Sequence, residues 1–130
     1  MSKTCTNLEQ SKKLAEILPL ESADMRIGNY VGKSGTVDGT NIHYYPKGES
    51  FGAPEIIYAW SLAALLDVLP KICYPVKDHP TYLTLGKPKD KWCALYWDTT
   101  GMQDGEQTLA DNPVDACVEM IIKLHDQKLL

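Results

Sequence analysis

The stretch "KWCALYWD", residues 91–98, reads as a β-strand with no polar face, and nothing else in the chain restricts the fold as much. In an extended backbone successive side chains point to opposite sides, so Trp92, Ala94 and Tyr96 line one face and Cys93, Leu95 and Trp97 the other. Both faces are apolar. Either the strand is covered twice within the monomer, or one side is an exposed patch that meets another molecule. Ahead of it stand "TYLTL" and the connection "GKPKDK", a glycine- and proline-containing turn solvated by Lys87, Lys89 and Lys91. Together they predict a hairpin. A weaker third strand, "EQTLA", follows the turn signal "TTGMQDG".

Helical periodicity brackets this hairpin. In "DNPVDACVEM" Asn112 is an N-cap, Pro113 occupies the first helical position and Asp115 sits in the first turn, where the helix dipole favours negative charge. Val114, Cys117, Met120, Ile121 and Leu124 form an apolar stripe, with Asp115, Glu119, Lys123 and Asp126 turned to water. Upstream, "WSLAALLDVLP" offers Ser61 as N-cap, Leu62, Leu65, Leu66 and Leu69 on one face, and Pro70 as a stop. With Ala63 and Ala64 opposite, so little of this helix is polar that it is expected at the centre of the fold. A third helix is expected over 7–18, with Thr6 capping it, Glu9 reaching back, and Pro19 ending it.

Between residues 25 and 57 lie Gly28, Gly32, Gly35, Gly39, Gly48 and Gly52 with Pro46 and Pro54, a density that disfavours long elements. One short strand, "TNIHYYP", is expected inside an otherwise glycine-rich loop segment. Tyr30, Ile42, Tyr44 and Tyr45 would anchor that segment to the core. Its opening "GNYVGKSG" imitates a phosphate-binding loop, but the frame fails. The motif needs four residues between its glycines, and the position that should be glycine is Ile27. No nucleotide site is read here. The whole is one domain: an N-terminal helix (7–18), the glycine-rich segment (25–57) and an α-β-β-β-α core (61–127).

Composition narrows the functional classes. A 130-residue chain with 44% hydrophobic and 23% charged residues can bury one core, and a formal charge of −4 repels nucleic acid and anionic membranes. The longest apolar run, "AWSLAALLDVLP", is too short to span a bilayer, and the first residues lack the apolar core of a secretion signal. The expected location is the cytoplasm. Cys5, Cys73, Cys93 and Cys117 are scattered, with no C-x-x-C and no histidine at ligand spacing, so they read as free thiols and no metal or cofactor site is expected. His43 falls in the short strand, His79 in a loop before a proline, and His125 near a helix C-terminus. The carboxylate pairs Asp38 with Glu49 and Asp104 with Glu106 fall in loops. Nothing resembles a nucleophile with its base, and the chain does not read as an enzyme.

The order helix, strand, strand, strand, helix from Ser61 onward resembles that of the double-stranded RNA-binding domain, which implies nucleic-acid binding through lysines at the start of the last helix. The corresponding start here carries Asp111, Asp115 and Glu119, which would meet phosphate with like charge. The patterns "WSLAALLDVLP", "TYLTL" with "KWCALYWD", and "NPVDACVEMIIKLHDQKLL", together with "ESADM", resemble a group of small uncharacterised proteins of gut bacteria and their phages or mobile elements. That resemblance implies a shared fold and carries no catalytic residue. The fold class expected is α+β: a small antiparallel sheet of three to four strands against two or three helices. The function expected is protein interaction, by a partner or by self-association. Three tryptophans and seven tyrosines supply interface anchors, and Cys93, Leu95, Trp97, Tyr44 and Tyr45 are the candidate contact residues.

Overall fold

A computed structural model of the chain describes residues 4–29, 42–46, 56–76, 79–97 and 104–130. In order come helix α1 (Leu8–Ile17), a 3-10 turn (Leu20–Ser22), strands β1 (Met25–Asn29), β2 (Ile42–Pro46) and β3 (Ile56–Ala59), helix α2 (Leu62–Val68), strands β4 (Ile72–Val76), β5 (His79–Gly86), β6 (Trp92–Trp97) and β7 (Asp104–Ala110), and helix α3 (Pro113–Asp126). The strands form two antiparallel sheets, β2-β1-β3 and the meander β4-β5-β6-β7. The class is α+β.

Four strands run between α2 and α3 where the sequence pattern points to three. The additional one, β4, contains Pro75, which argues against a central strand but is tolerated at an edge; the β4–β5 register is irregular between Cys73 and Val76. The segment 25–57 also holds more structure than its glycines suggest. β1 and β3 flank the expected strand, with Gly28 accommodated inside β1 opposite His43 and Ile56. Strand pairing there overrides the weak local propensity.

Helix α3, rather than α2, is central. Val114, Ala116, Cys117, Val118, Met120, Ile121 and Leu124 are all buried, and the helix contacts β6, β7, α2 and α1. Helix α2 has only 7 residues before Leu69 and Pro70 end it; Ala64 is buried with Leu65 and Leu69, while Ala63 and Asp67 stay exposed. Each fully buried aliphatic side chain contributes roughly 1.5–3 kcal/mol before the entropy of ordering it is subtracted. That weight favours the longer helix. Its start is built as the sequence implies, Asn112 Oδ1 accepting from the Asp115 amide at 2.8 Å with Pro113 at the first position. Asp115 itself is half-buried instead of solvated, because Gln10 Nε2 and Asn112 Nδ2 donate to its two oxygens at 2.7 and 2.8 Å. The far end closes with Leu129 N–H donating to Leu124 O at 2.8 Å and Lys128 N–H to His125 O at 3.0 Å, which places Lys128 at φ 60.

Helix α1 is capped one residue later than the sequence reading. Asn7 Oδ1 accepts from the Gln10 amide at 2.8 Å and Gln10 Oε1 accepts from the Asn7 amide at 3.1 Å, a reciprocal box made by Asn7 and Gln10 rather than Thr6 and Glu9. Thr6 is buried instead. Its Oγ1 accepts the Trp60 amide at 3.1 Å and lies 2.7 Å from Ser11 Oγ, and its own amide donates to Trp60 O at 2.9 Å. Beside this contact Trp60 Nε1 donates to Ser22 Oγ at 2.9 Å, and the Ser61 amide donates to Asp24 Oδ1 at 2.8 Å. The first residues are thereby fastened to the β3–α2 junction.

Candidate functional site

The alternation along β6 assigns its faces. Ala94 and Tyr96 are buried in the core with Trp92, Leu83, Leu85 and Ala110 beside them, and this face is covered by α3. Two polar groups lock the cover in place: Thr108 Oγ1 donates to Ala116 O at 2.7 Å, and the Tyr96 hydroxyl donates to Pro70 O at 2.6 Å. The opposite face carries the other parity. Strand register arranges it in three rows: Ile72, Tyr82 and Trp97, then Thr84, Leu95 and Gln107, then Gly86, Cys93 and Leu109.

This second face is open. Ile72 (41%), Tyr82 (38%), Trp97 (40%) and Leu109 (52%) are four of the large hydrophobic residues the fold leaves exposed, and Leu95 between them is half-buried. Cys93 is nearly covered, at 7%. The two ends of the face differ in height. At one end the Trp97 indole is held against the sheet by Nε1 donating to Thr84 Oγ1 at 2.8 Å, next to Tyr82 and Ile72. At the other end Gly86 contributes no side chain, and a Cβ placed there would meet nothing within 4 Å. A depression of about 360 Å³ results, lined by Thr84, Gly86, Lys87, Pro88, Cys93 and Leu95. Beyond Pro88 a second groove of about 530 Å³ runs over Lys89, Asp90, Lys91, Gln107 and Leu109.

The charge around these grooves is mostly basic. Lys91 pairs with Asp111 across the sheet edge, whereas Lys87 and Lys89 are exposed and join no ion pair among the described residues. The acidic start of α3 is engaged elsewhere, Asp111 with Lys91 and Asp115 with Gln10 and Asn112. A separate groove of about 450 Å³ lies between α1, α2 and the end of α3, where Leu18, Val68, Asp67 and His125 meet. Among the described residues no group of three or more His, Cys, Asp or Glu side chains is placed to hold a metal ion, and no helix is long and apolar enough to cross a membrane.

Among the described residues, Cys5, Cys93 and Cys117 are buried rather than presented, and none of the three is in a disulfide. Burial pushes the Cys117 thiol from 9.0 up to about 11, since the thiolate would lose its hydration among the core side chains. A thiol kept neutral in this way is a poor nucleophile.

Of the residues the sequence singled out, Leu95 and Trp97 come together on the open face with Cys93 as part of its floor. Tyr44 and Tyr45 lie in the other sheet, in register with Ile27 and Arg26, and their side chains fall outside the described residues. His79 begins β5 instead of occupying a loop, and Asp104 and Glu106 lie in β7. Asp38, Glu49 and most of "GNYVGKSG" are outside the described residues. Sequence reasoning missed Ile72, Tyr82, Gly86 and Leu109 as members of the face. The signal was present for two of them: in "TYLTLG" Tyr82, Thr84 and Gly86 share one parity, and the register to β6 decides which face that is. Ile72 depended on a strand that Pro75 concealed.

No family model, no curated protein and no solved structure matches the chain. The reading of the site therefore rests on its own geometry.

Proposed function

We propose that the chain is a small non-catalytic protein-interaction module that works in the cytoplasm, and that the open face of the four-stranded sheet is its contact surface. One observation carries this reading: Ile72, Tyr82, Trp97 and Leu109 remain 38–52% exposed on one continuous face, with Leu95 at its middle. Monomeric proteins rarely leave a contiguous apolar patch of more than a few hundred Å² in water, and aromatic residues supply a disproportionate share of interface energy. The indole is already fixed by Thr84, so little side-chain freedom remains to be lost on contact.

Leu95→Glu is the test. On a solvent-facing position the carboxylate stays hydrated, and the variant is expected to keep the wild-type urea stability to within about 0.5 kcal/mol. A loss of more than about 2 kcal/mol would mean that the face is internal core, and the reading would fail. Exposed Lys87 and Lys89 favour one competing reading, nucleic-acid binding through the hairpin turn. Its signature is binding to duplex RNA at low salt that falls steeply as salt is added, because phosphate contacts release counterions.

A further inference from the structure

We infer that the occupant of the open face is a second copy of the same chain, docked sheet to sheet about a two-fold axis that crosses the strands over the row Thr84, Leu95 and Gln107. This rests on the interaction reading above and adds the partner and its register. A two-fold axis lying in the contact plane and perpendicular to the strands reverses strand direction while keeping each strand over its own equivalent. Leu95 then faces Leu95 of the other copy. Two residues to either side, Trp97 of each copy lies over Cys93 of the other, and Tyr82 lies over Gly86, as the β5–β6 register dictates.

Three properties of the face favour this arrangement. The first is relief. The large residues Ile72, Tyr82 and Trp97 are gathered at one end, and the depression at Gly86 and Cys93 is at the other, with Leu109 beside it on β7, so reversal sets Tyr82 and Trp97 of each copy over the low ground that β5 and β6 offer in the other. The alternative axis, along the strands, would oppose Trp97 to Trp97 and leave the depressions facing each other.

The second is charge. Lys87 and Lys89 extend from the low end. With strands aligned the two lysine turns would meet, whereas reversal separates them by the length of the sheet, ~20 Å for six residues at about 3.3 Å each, against a screening length of about 8 Å. Reversal also brings Lys87, which lines the depression, beside the indole seated in it, where a cation gains from the ring face.

The third is area. Four strands spaced about 4.8 Å apart give a face of roughly 20 by 20 Å, or ~400 Å² per copy before side-chain relief is counted. That is ~800 Å² for the pair, below the roughly 1,200–2,000 Å² of stable complexes and in the range of weak, transient ones, so the dimer is a weak one, with Kd on the order of 10–100 µM.

Sedimentation equilibrium of the full chain over about 10–500 µM tests the inference. Wild type is expected to show a reversible monomer–dimer equilibrium in that range. Gly86→Phe fills the depression from a position where an added Cβ meets no neighbour, so it should fold normally by circular dichroism and raise Kd at least about tenfold. Tyr82→Lys and Gly86→Glu should each weaken the dimer similarly, and mixing the two variants should restore association to within about threefold of wild type, because only the reversed register pairs those positions. A wild-type chain monomeric at about 500 µM would overturn self-association, while the stability of Leu95→Glu separately decides whether the face is a surface at all. A dimer whose Kd is unchanged by Gly86→Phe, or not recovered by the mixture, would overturn the register.

Discussion

Replacing Thr6 by valine should be among the most damaging conservative changes in the chain. The two side chains have nearly the same shape, so packing at this fully buried site is preserved and the loss is one of hydrogen bonds. Thr6 Oγ1 accepts the Trp60 amide at 3.1 Å and bonds Ser11 Oγ at 2.7 Å, and Ser11 is also fully buried. Valine leaves two buried groups without a partner, the Trp60 N–H and the Ser11 hydroxyl. At about 1–3 kcal/mol for each orphaned group the change costs roughly 2–6 kcal/mol, out of a total stability on the order of 5–15 kcal/mol. Ser11→Ala removes one hydroxyl and leaves Thr6 Oγ1 still accepting from Trp60, so its cost is about 1 kcal/mol. In the double variant only the Trp60 amide is orphaned. The two effects must therefore fall short of additivity, with a coupling of about 2–4 kcal/mol. Urea titration followed by circular dichroism, at unchanged m-value, measures all four corners of the cycle. A Thr6→Val cost below about 0.5 kcal/mol, or strict additivity, would refute the assignment of this pair as the fastening between the first residues and the β3–α2 junction.

Two further outcomes follow from buried chemistry and backbone geometry. Cys117 should resist Ellman's reagent at pH 8 in the folded protein and react only as the chain opens. Its folded pKa of about 11 lies above 9.0, so the unfolded chain releases this proton first and the stability it contributes is present below pH 9 and lost as pH rises towards 11. The stability difference between wild type and Cys117→Ala should accordingly move against wild type across that window. Lys128→Gly should raise stability by about 0.5–1 kcal/mol, since φ 60 strains a side-chain-bearing residue and suits glycine at this helix-ending position; an unchanged or lower thermal midpoint would contradict it.

Local signals located the helices because each is announced by residues that act at short range. Ser61 accepts from the Ala64 amide at 3.2 Å, Asn112 from Asp115, and the prolines stop or start helices where their missing N–H requires. The cap of α1 went to Asn7 because Thr6, one residue earlier, was claimed by Trp60, a partner 54 residues away that no local pattern displays. The same limit explains β1 and β3. Their evidence is the pair of ladders that β1 makes to β2 and to β3, and in "MRIGN" the alternation of Met25, Arg26 and Ile27 breaks off at Gly28. In the candidate face, the parity of Leu95 and Trp97 was legible in "KWCALYWD". Which side α3 would cover was not, because Trp92, Ala94 and Tyr96 are no more apolar than Cys93, Leu95 and Trp97. Tertiary assembly broke the tie, through Thr108 reaching the Ala116 carbonyl and Tyr96 reaching Pro70.

The bonds from Asp24 to Ser61 and from Ser22 to Trp60 have an evolutionary corollary. They bring together points 37 and 38 residues apart, so the chain that carries β1, β2 and β3 is closed into a loop at one junction. Within that excursion β1 hands over to β2 at the register pair Asn29 and Ile42, and doubling the connection between them would add only about 0.6 kcal/mol of closure entropy. Changes of chain length between residues 29 and 42 are thus expected to leave the open face of the four-stranded sheet unaltered, a division of labour that lets one part vary while the other is held.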